Sequence, residues 1–274
     1  MALVNGSVDL HIHSNASDGL YSPAEVVALA SQAGLKALAL TDHDTISGLD
    51  EAEAAARQCG IEFVPGVELT SYAAEEELHI LGYYPANRAL LEEALIALRR
   101  ERYRRMEKMV DRLREAGFPV TMAAVLAEAA PAAPGRLHLA RLLVKEKMIG
   151  SLEEAFSRYL ERGKPAYVPR HTFRPEEALA LLRAAGAIPV LAHPGSSGAA
   201  YLEPLINSGL KGVEVYHPDH GKKLQSYYRR RAQELNLLIT GGSDFHGDPG
   251  HRAQRPGSCS VPYSCLSLLK EHRQ

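Results

Sequence analysis

Near the start of the chain Val8, Leu10 and Ile12 alternate with Asp9, His11 and His13. A period of two is that of an extended strand with unlike faces, so both imidazoles project from one side. This feature constrains the fold most, because the unit that the strand opens recurs along the chain. Ser22-Pro23-Ala24-Glu25 reads as a capping box with proline at the first helical position, and Gly34 closes the apolar-periodic helix behind it. A strand is expected near residues 37–41, a helix up to Cys59 with Gly60 behind it, and strands near 62–67 and 78–83. After residue 186 the pattern resumes, with strands near 188–192, 212–216 and 237–240 separated by helical stretches. Strands alternating with helices predict βαβ units in a parallel sheet, and about seven of them suit a closed or nearly closed α/β barrel.

Between the halves the period changes. Residues 87–116 read as one long helix with Leu91, Leu95, Leu98, Met106, Val110 and Leu113 on one face, ended by Gly117. Shorter helices follow after Thr121, near residues 137–147, and behind Ser151-Leu152-Glu153-Glu154, which reads as another capping box. The expected organisation is a barrel built from residues 1–98 and 166–274, with a helical insertion at 99–165. The Ala-Pro-Gly stretch at 129–135 reads as a loop inside that insertion.

Chemistry enters through the ends of the expected strands. His11 and His13 fall on the first, Asp42 and His43 follow the second, Glu68 follows the third, and His79 lies in the fourth. His193 follows the strand at 188–192, and Asp244 and His246 follow the last. In a parallel α/β barrel these ends converge on one face. A lone histidine on an apolar strand is ordinarily a hydrogen-bonded core residue. Repetition changes the balance, because uncompensated imidazoles and carboxylates crowded together would repel and desolvate one another, whereas divalent metal makes the same cluster favourable. Nitrogen and oxygen donors without thiolate suit Mn²⁺, with Fe²⁺ or Zn²⁺ as alternatives, and the donors are too numerous for one tetrahedral ion. Two or three divalent metal ions are therefore expected, a set able to activate water against a phosphate ester.

The remaining composition excludes more than it assigns. A formal charge of −2 argues against a uniformly basic nucleic-acid coat. No signal peptide is read in the first residues, and no stretch offers the ~20 unbroken apolar residues of a membrane span. Cys59, Cys259 and Cys265 read as reduced thiols of a cytoplasmic protein. The basic run Arg99, Arg100, Arg102, Arg104, Arg105 and Lys108 suits either a solvated helix face or a phosphate-steering rim, while Arg229, Arg230 and Arg231 read as an exposed patch.

Taken in order, Asp9-Leu10-His11-Ile12-His13-Ser14 with Ser17-Asp18-Gly19, Thr41-Asp42-His43-Asp44, Gly66-Val67-Glu68, His79, Ala192-His193-Pro194 and Gly242-Ser243-Asp244-Phe245-His246 resemble the motifs of the polymerase and histidinol phosphatase (PHP) family. The resemblance implies a distorted (β/α)₇ barrel with a trinuclear metal centre. It implies that His11, His13, Glu68 and Asp244 hold one metal, that Glu68 bridges to a second held with His79 and His193, and that Asp18, His43 and His246 hold a third. The implied nucleophile is a metal-bound hydroxide supported by His43, His193 and Asp244. Gly135-Arg136-Leu137-His138 and Gly163-Lys164-Pro165-Ala166-Tyr167 resemble the members that hydrolyse nucleoside 3′,5′-bisphosphates and trim short RNA from the 5′ end. Arg136, His138, Lys164 and Tyr167 are then the implied substrate contacts, with no obligate protein partner; His217, in Tyr216-His217-Pro218 on a strand that also points to the active face, reads as a substrate contact or as a support behind the metal ligands.

Three other readings stay open at this point. A histidinol-phosphate phosphatase shares barrel and ligands but should not need the insertion. A deaminase of the amidohydrolase type would often use a bridging lysine, and none lies between Gly60 and Tyr84. A non-catalytic metal-binding module is the reading from another class.

Overall fold

The computed structural model describes residues 7–73, 76–130, 133–169, 173–247, 255–259 and 261–273. It begins with β1 (Ser7–Asp9), after which the capping box at Ser22 forms as expected. Ser22 Oγ accepts the Glu25 N–H at 3.3 Å and the Ser22 N–H donates to Glu25 Oε2 at 2.8 Å. Pro23 opens α1 (Pro23–Gln32), since its missing donor costs nothing in a first turn. β2 (Ala37–Leu40) and α2 (Leu49–Cys59) follow, and Gly60 ends α2 in a left-handed conformation at φ 66°. Leu38 and Leu40 pack with Val26, Val27 and Ala30 of α1 and Ala52 and Ala56 of α2. Ala37 and Ala39 pack in another cluster, with Val64, Leu81, Tyr83 and Val190, as strand alternation requires.

β3 (Glu62–Ala73) and β4 (Glu76–Tyr83) come next, then α3 (Arg88–Glu115), which is capped by the Asn87 side chain accepting the Leu90 N–H at 3.0 Å. α4 (Met122–Ala129), α5 (Arg136–Lys145) and α6 (Leu152–Ala155) follow, with one π-helical turn at Phe156–Leu160. Ser151 caps α6 by accepting the Glu154 N–H at 3.1 Å, but Glu154 Oε2 takes the Gly150 N–H at 3.0 Å, so the reciprocal half of the expected box is displaced by one residue. The second half runs α7 (Pro175–Ala184), β5 (Ile188–Leu191), α8 (Leu202–Asn207), β6 (Gly212–Tyr216), α9 (Lys222–Glu234), β7 (Leu238–Gly241), β8 (Val261–Pro262) and α10 (Tyr263–Glu271).

The strands form one sheet in the order β7-β6-β5-β4-β3-β2-β1-β8. Its two ends also meet. Leu10 N–H donates to Gly241 O at 3.1 Å, Asp244 N–H to His11 O at 2.8 Å and His13 N–H to Phe245 O at 3.0 Å, so the run after β1 pairs with the run after β7. The result is a distorted seven-stranded α/β barrel with the two-residue β8 antiparallel on β1. One expectation is corrected. β4 is antiparallel to both β3 and β5, because only two residues separate β3 from β4, and a parallel crossover needs a dozen or more.

Two compact units are present: Met1–Ala94 with Phe173–Gln274, and Leu95–Thr172. The sequence reading put the boundaries at 98/99 and 165/166. The second unit has its own core, in which Met106, Val110 and Leu113 pack with Val125, Leu139, Leu143 and Leu160. Met1 to Gly6, and Pro131 and Ala132 of the expected loop, lie outside the described residues. Among the described residues no helix is long and apolar enough to cross a membrane.

In the first unit Tyr83 is fully buried and its hydroxyl donates to Leu10 O at 2.8 Å, tying β4 to the strand that carries the histidines. Tyr83→Phe leaves that carbonyl without its donor and should cost ~1–2 kcal/mol. Urea unfolding of the two proteins measures the difference.

Candidate metal centre

The barrel brings the ends of β1, β2, β5 and β7 to one mouth, and the reversed β4 delivers to the same place from its first half. His79 pairs with Thr70, and its carbonyl accepts the Ala192 N–H at 3.0 Å, beside His193. Glu68 does not follow the third strand, as expected from the sequence. β3 continues to Ala73, so Glu68 lies inside it, opposite Leu81 and bridged to His43.

Glu68 is the hub. It is fully buried, with Oε2 3.1 Å from His11 Nε2, 3.2 Å from His13 Nε2 and 3.3 Å from His43 Nδ1. Its Oε1 lies 3.0 Å from both His79 Nδ1 and His193 Nε2. Asp244 Oδ1 lies 3.0 Å from His13 Nε2 and 3.4 Å from His11 Nε2. Asp18, which is partly exposed, reaches His246 Nε2 at 3.2 Å and His43 Nε2 at 3.8 Å. Donor atoms converge in three groups: His11, His13, Glu68 and Asp244; His43, Glu68 and His79; and His13, Asp18, His43 and His246. His13, His43 and Glu68 each belong to two of them.

In the metal-free protein these charges compensate one another. Burial opposes ionisation of Glu68, yet His11, His43 and His79 hold it well below the usual carboxylate range. Burial likewise opposes protonation of His13, but Asp244 and Glu68 raise it to about 10. Burial, with His13 and His79 alongside, pushes His43 down to about 4. The balance is incomplete. His13 Nδ1 and Nε2, His43 Nδ1, His79 Nδ1 and Asp244 Oδ1 are buried and make no hydrogen bond, although opposite charges stand close by. Convergent donors that are near one another but off hydrogen-bond geometry fit divalent cations, and no thiolate joins the three groups.

The backbone is shaped to the same end. Asp244 holds φ 54° and His193 φ 20°, conformations that non-glycine residues keep only when their surroundings impose them. Gly242 is obligatory, since a Cβ there would lie 2.3 Å from His11 Cβ and 2.4 Å from His11 N. Asp42 turns away from the cluster. It accepts the Ser14 N–H, the Ser14 hydroxyl and the Ser17 hydroxyl, all at 2.7 Å, and so shapes the loop that presents Asp18.

His217 is 4% exposed, with Nε2 3.4 Å from Asp244 Oδ2 and Nδ1 accepting the Asp219 N–H at 3.1 Å. Three buried groups had no role assigned from the sequence. Asp9 accepts the Ser243 N–H at 2.9 Å and the Gly257 N–H at 2.7 Å, locking the strand beneath His11. Glu214 meets His11 Nδ1 at 3.0 Å. His220 Nε2 accepts the Gly195 N–H at 3.3 Å. The signal for Glu214 was available: a carboxylate set between Val213 and Val215 in an apolar strand cannot be buried without partners.

The remaining candidates lie in the second unit. Arg136 begins α5, its guanidinium 5.8 Å from the Phe156 ring centre and Nη1 3.5 Å from Leu160 O. His138 Nδ1 accepts the Gly135 N–H at 3.2 Å, so that nitrogen caps its own helix. Lys164 is exposed, and Tyr167 is half-buried with the Arg105 guanidinium 6.0 Å from its ring centre. Arg105 also donates to Val168 O at 2.7 Å and Arg104 pairs with Glu101 at 2.6 Å, which commits part of the basic run to contacts within the unit.

An α/β barrel with such a mouth defines a metal-dependent hydrolase of the barrel class. The PHP domain matches residues 9–161, more than half of the chain. The chain is 36% identical to a 5′-3′ exoribonuclease of Haemophilus influenzae, over 87% of its own length and 89% of that protein's. It is 35% identical to a 3′,5′-nucleoside bisphosphate phosphatase of Chromobacterium violaceum, over 92% and 94%. Among solved structures, a candidate metal-dependent phosphoesterase of Bifidobacterium adolescentis superposes with a TM-score of 0.84 at 28% identity, covering 99% of this chain and 98% of that one. The chain belongs to the PHP domain family.

Proposed function

We propose that this phosphoesterase removes the 3′-phosphate of nucleoside 3′,5′-bisphosphates, leaving the 5′-monophosphate, and trims short 5′-phosphorylated RNA from its 5′ end. The observation that carries the reading is Glu68, fully buried with one oxygen toward His11, His13 and His43 and the other toward His79 and His193. It occurs in a chain whose relatives bear those two activities in their names.

His11, His13, Glu68 and Asp244 would hold one cation, Glu68, His79 and His193 a second, and Asp18, His43 and His246 a third, with Mn²⁺ the ion of choice. Bound cations supply the charge that screens phosphoryl oxygens and makes water acidic enough to attack near neutral pH. The chain's own part is to hold donors in place. Glu68 serves two ligand groups with one side chain. His43, depressed to about 4, stays a neutral donor at pH 7. His217, whose Nδ1 accepts the Asp219 N–H, can hold a proton at Nε2 toward Asp244 Oδ2. The substrate roles of Arg136, His138, Lys164 and Tyr167 rest on their sequence motifs. A cytoplasmic setting belongs to the same proposal.

Purified protein reconstituted with Mn²⁺ should release inorganic phosphate from adenosine 3′,5′-bisphosphate and mononucleotides from a short 5′-phosphorylated RNA. Its kcat/KM on histidinol phosphate should be ~10²-fold lower, because groups placed to hydrogen-bond a nucleotide would be left without their partners. Turnover of histidinol phosphate alone would overturn the substrate assignment.

A further inference from the structure

Glu214 sits in the middle of β6 and is fully buried, and its carboxylate meets the His11 imidazole and the His193 backbone N–H. Such a group is not packing, because a buried carboxylate costs free energy unless fixed donors meet it. Its oxygens lie 3.0 and 3.1 Å from His11 Nδ1. Oε2 also accepts the His193 N–H at 2.8 Å. One side chain therefore holds the ring of a residue after β1 and the backbone of a residue after β5.

The consequence for His11 follows from imidazole chemistry. With Nδ1 against a carboxylate that nitrogen keeps its proton, so Nε2, 3.1 Å from Glu68 Oε2 and 3.4 Å from Asp244 Oδ1, is the nitrogen that would give up its proton to a cation. The consequence for His193 is conformational. Its φ of 20° needs support, and β6 with α9 provides it. Glu214 takes the His193 N–H, His220 takes the Gly195 N–H at 3.3 Å, and the Tyr228 hydroxyl donates to Gly195 O at 2.5 Å. His220 is itself fixed by Nδ1 against Val215 O at 3.0 Å. Other imidazoles of the mouth are held differently: His13 Nδ1 makes no hydrogen bond, the outer partner of His79 is Glu77, whose side chain is 42% exposed, and His246 Nδ1 meets the Asp244 carbonyl at 2.9 Å.

We propose that Glu214 is a positioning residue that sets the ring of His11 and the backbone of His193 together, and so tunes the affinity of both cation positions that share Glu68. This rests on the metal-centre reading above. The test compares wild type, Glu214→Gln and Glu214→Ala by Mn²⁺ titration calorimetry with metal content after gel filtration, and by ¹⁵N NMR of the histidines in zinc-loaded protein. Glu214→Ala should weaken Mn²⁺ binding ~10–100-fold and lose the single Nδ1–H form of His11 seen in wild type. Glu214→Gln, which keeps an acceptor but no charge, should fall between, with kcat reduced more than KM; it also carries the test if the alanine variant fails to fold. Unchanged Mn²⁺ affinity in a folded variant, or a wild-type His11 protonated on Nε2, overturns the proposal. Failure of wild type to bind Mn²⁺ at all would instead sink the metal-centre reading beneath it.

Discussion

Glu68→Gln should lower turnover by ~10³-fold or more while leaving far-ultraviolet circular dichroism unchanged. The size follows from what one carboxylate serves. Its two oxygens meet His11, His13 and His43 on one side and His79 and His193 on the other, so losing its charge weakens two ligand groups at once. Several kcal/mol of charge stabilisation are at stake, and each ~1.4 kcal/mol is tenfold in rate. Glutamine is close in volume, so the effect is electrostatic and not a cavity. The variant should also retain less than the wild-type complement of Mn²⁺ after gel filtration, since an amide oxygen is a weaker ligand than a carboxylate oxygen. A folded Glu68→Gln protein with wild-type kcat would remove Glu68 from the centre and place the chemistry elsewhere.

Much of this was legible beforehand, for reasons that differ from residue to residue. The face shared by His11 and His13 could be read because strand alternation is geometric, and Ser22 with Glu25 because a capping box is local. The pairing direction of β4 could not, because alternation names a face and says nothing of which way a neighbour runs. The missing step was length. Even the expected strands at 62–67 and 78–83 left only ten residues between them, fewer than a parallel crossover needs, and the observed ends at Ala73 and Glu76 leave two. His79 reaches the mouth through that reversal. Glu214 was not legible from strand ends, where loops present ligands, because its part is played from mid-strand through His11 and His193. Asp42 was legible as belonging to the motif, but its pairing with Ser14 and Ser17 depends on a loop conformation that no periodicity encodes.

Metal binding should release protons, and its apparent affinity should rise steeply with pH. In the metal-free protein burial works against protonating His13, but Asp244 and Glu68 raise it to about 10; burial works against His79 too, but Glu68 and Glu77 raise it to about 10. At pH 7 both rings therefore carry a proton that a cation must displace. Between pH 6 and 8, below both values, two displaced protons strengthen apparent binding by up to ~100-fold per pH unit. Stability of the metal-free protein should run the other way. A histidine raised from ~6.5 in the unfolded chain contributes stability that is full below that value and is lost as pH rises toward about 10. His43, held down to about 4, adds the opposite effect on the acid side, where stability is lost as pH falls from ~6.5 through that value. Protein stripped with a chelator should thus lose melting temperature between pH 7 and 10, and added Mn²⁺ should restore both turnover and stability. Calorimetric titrations in two buffers of different ionisation enthalpy count the protons released. Affinity that stays flat from pH 6 to 8, with no proton release, would mean that these imidazoles are not the groups the metal meets.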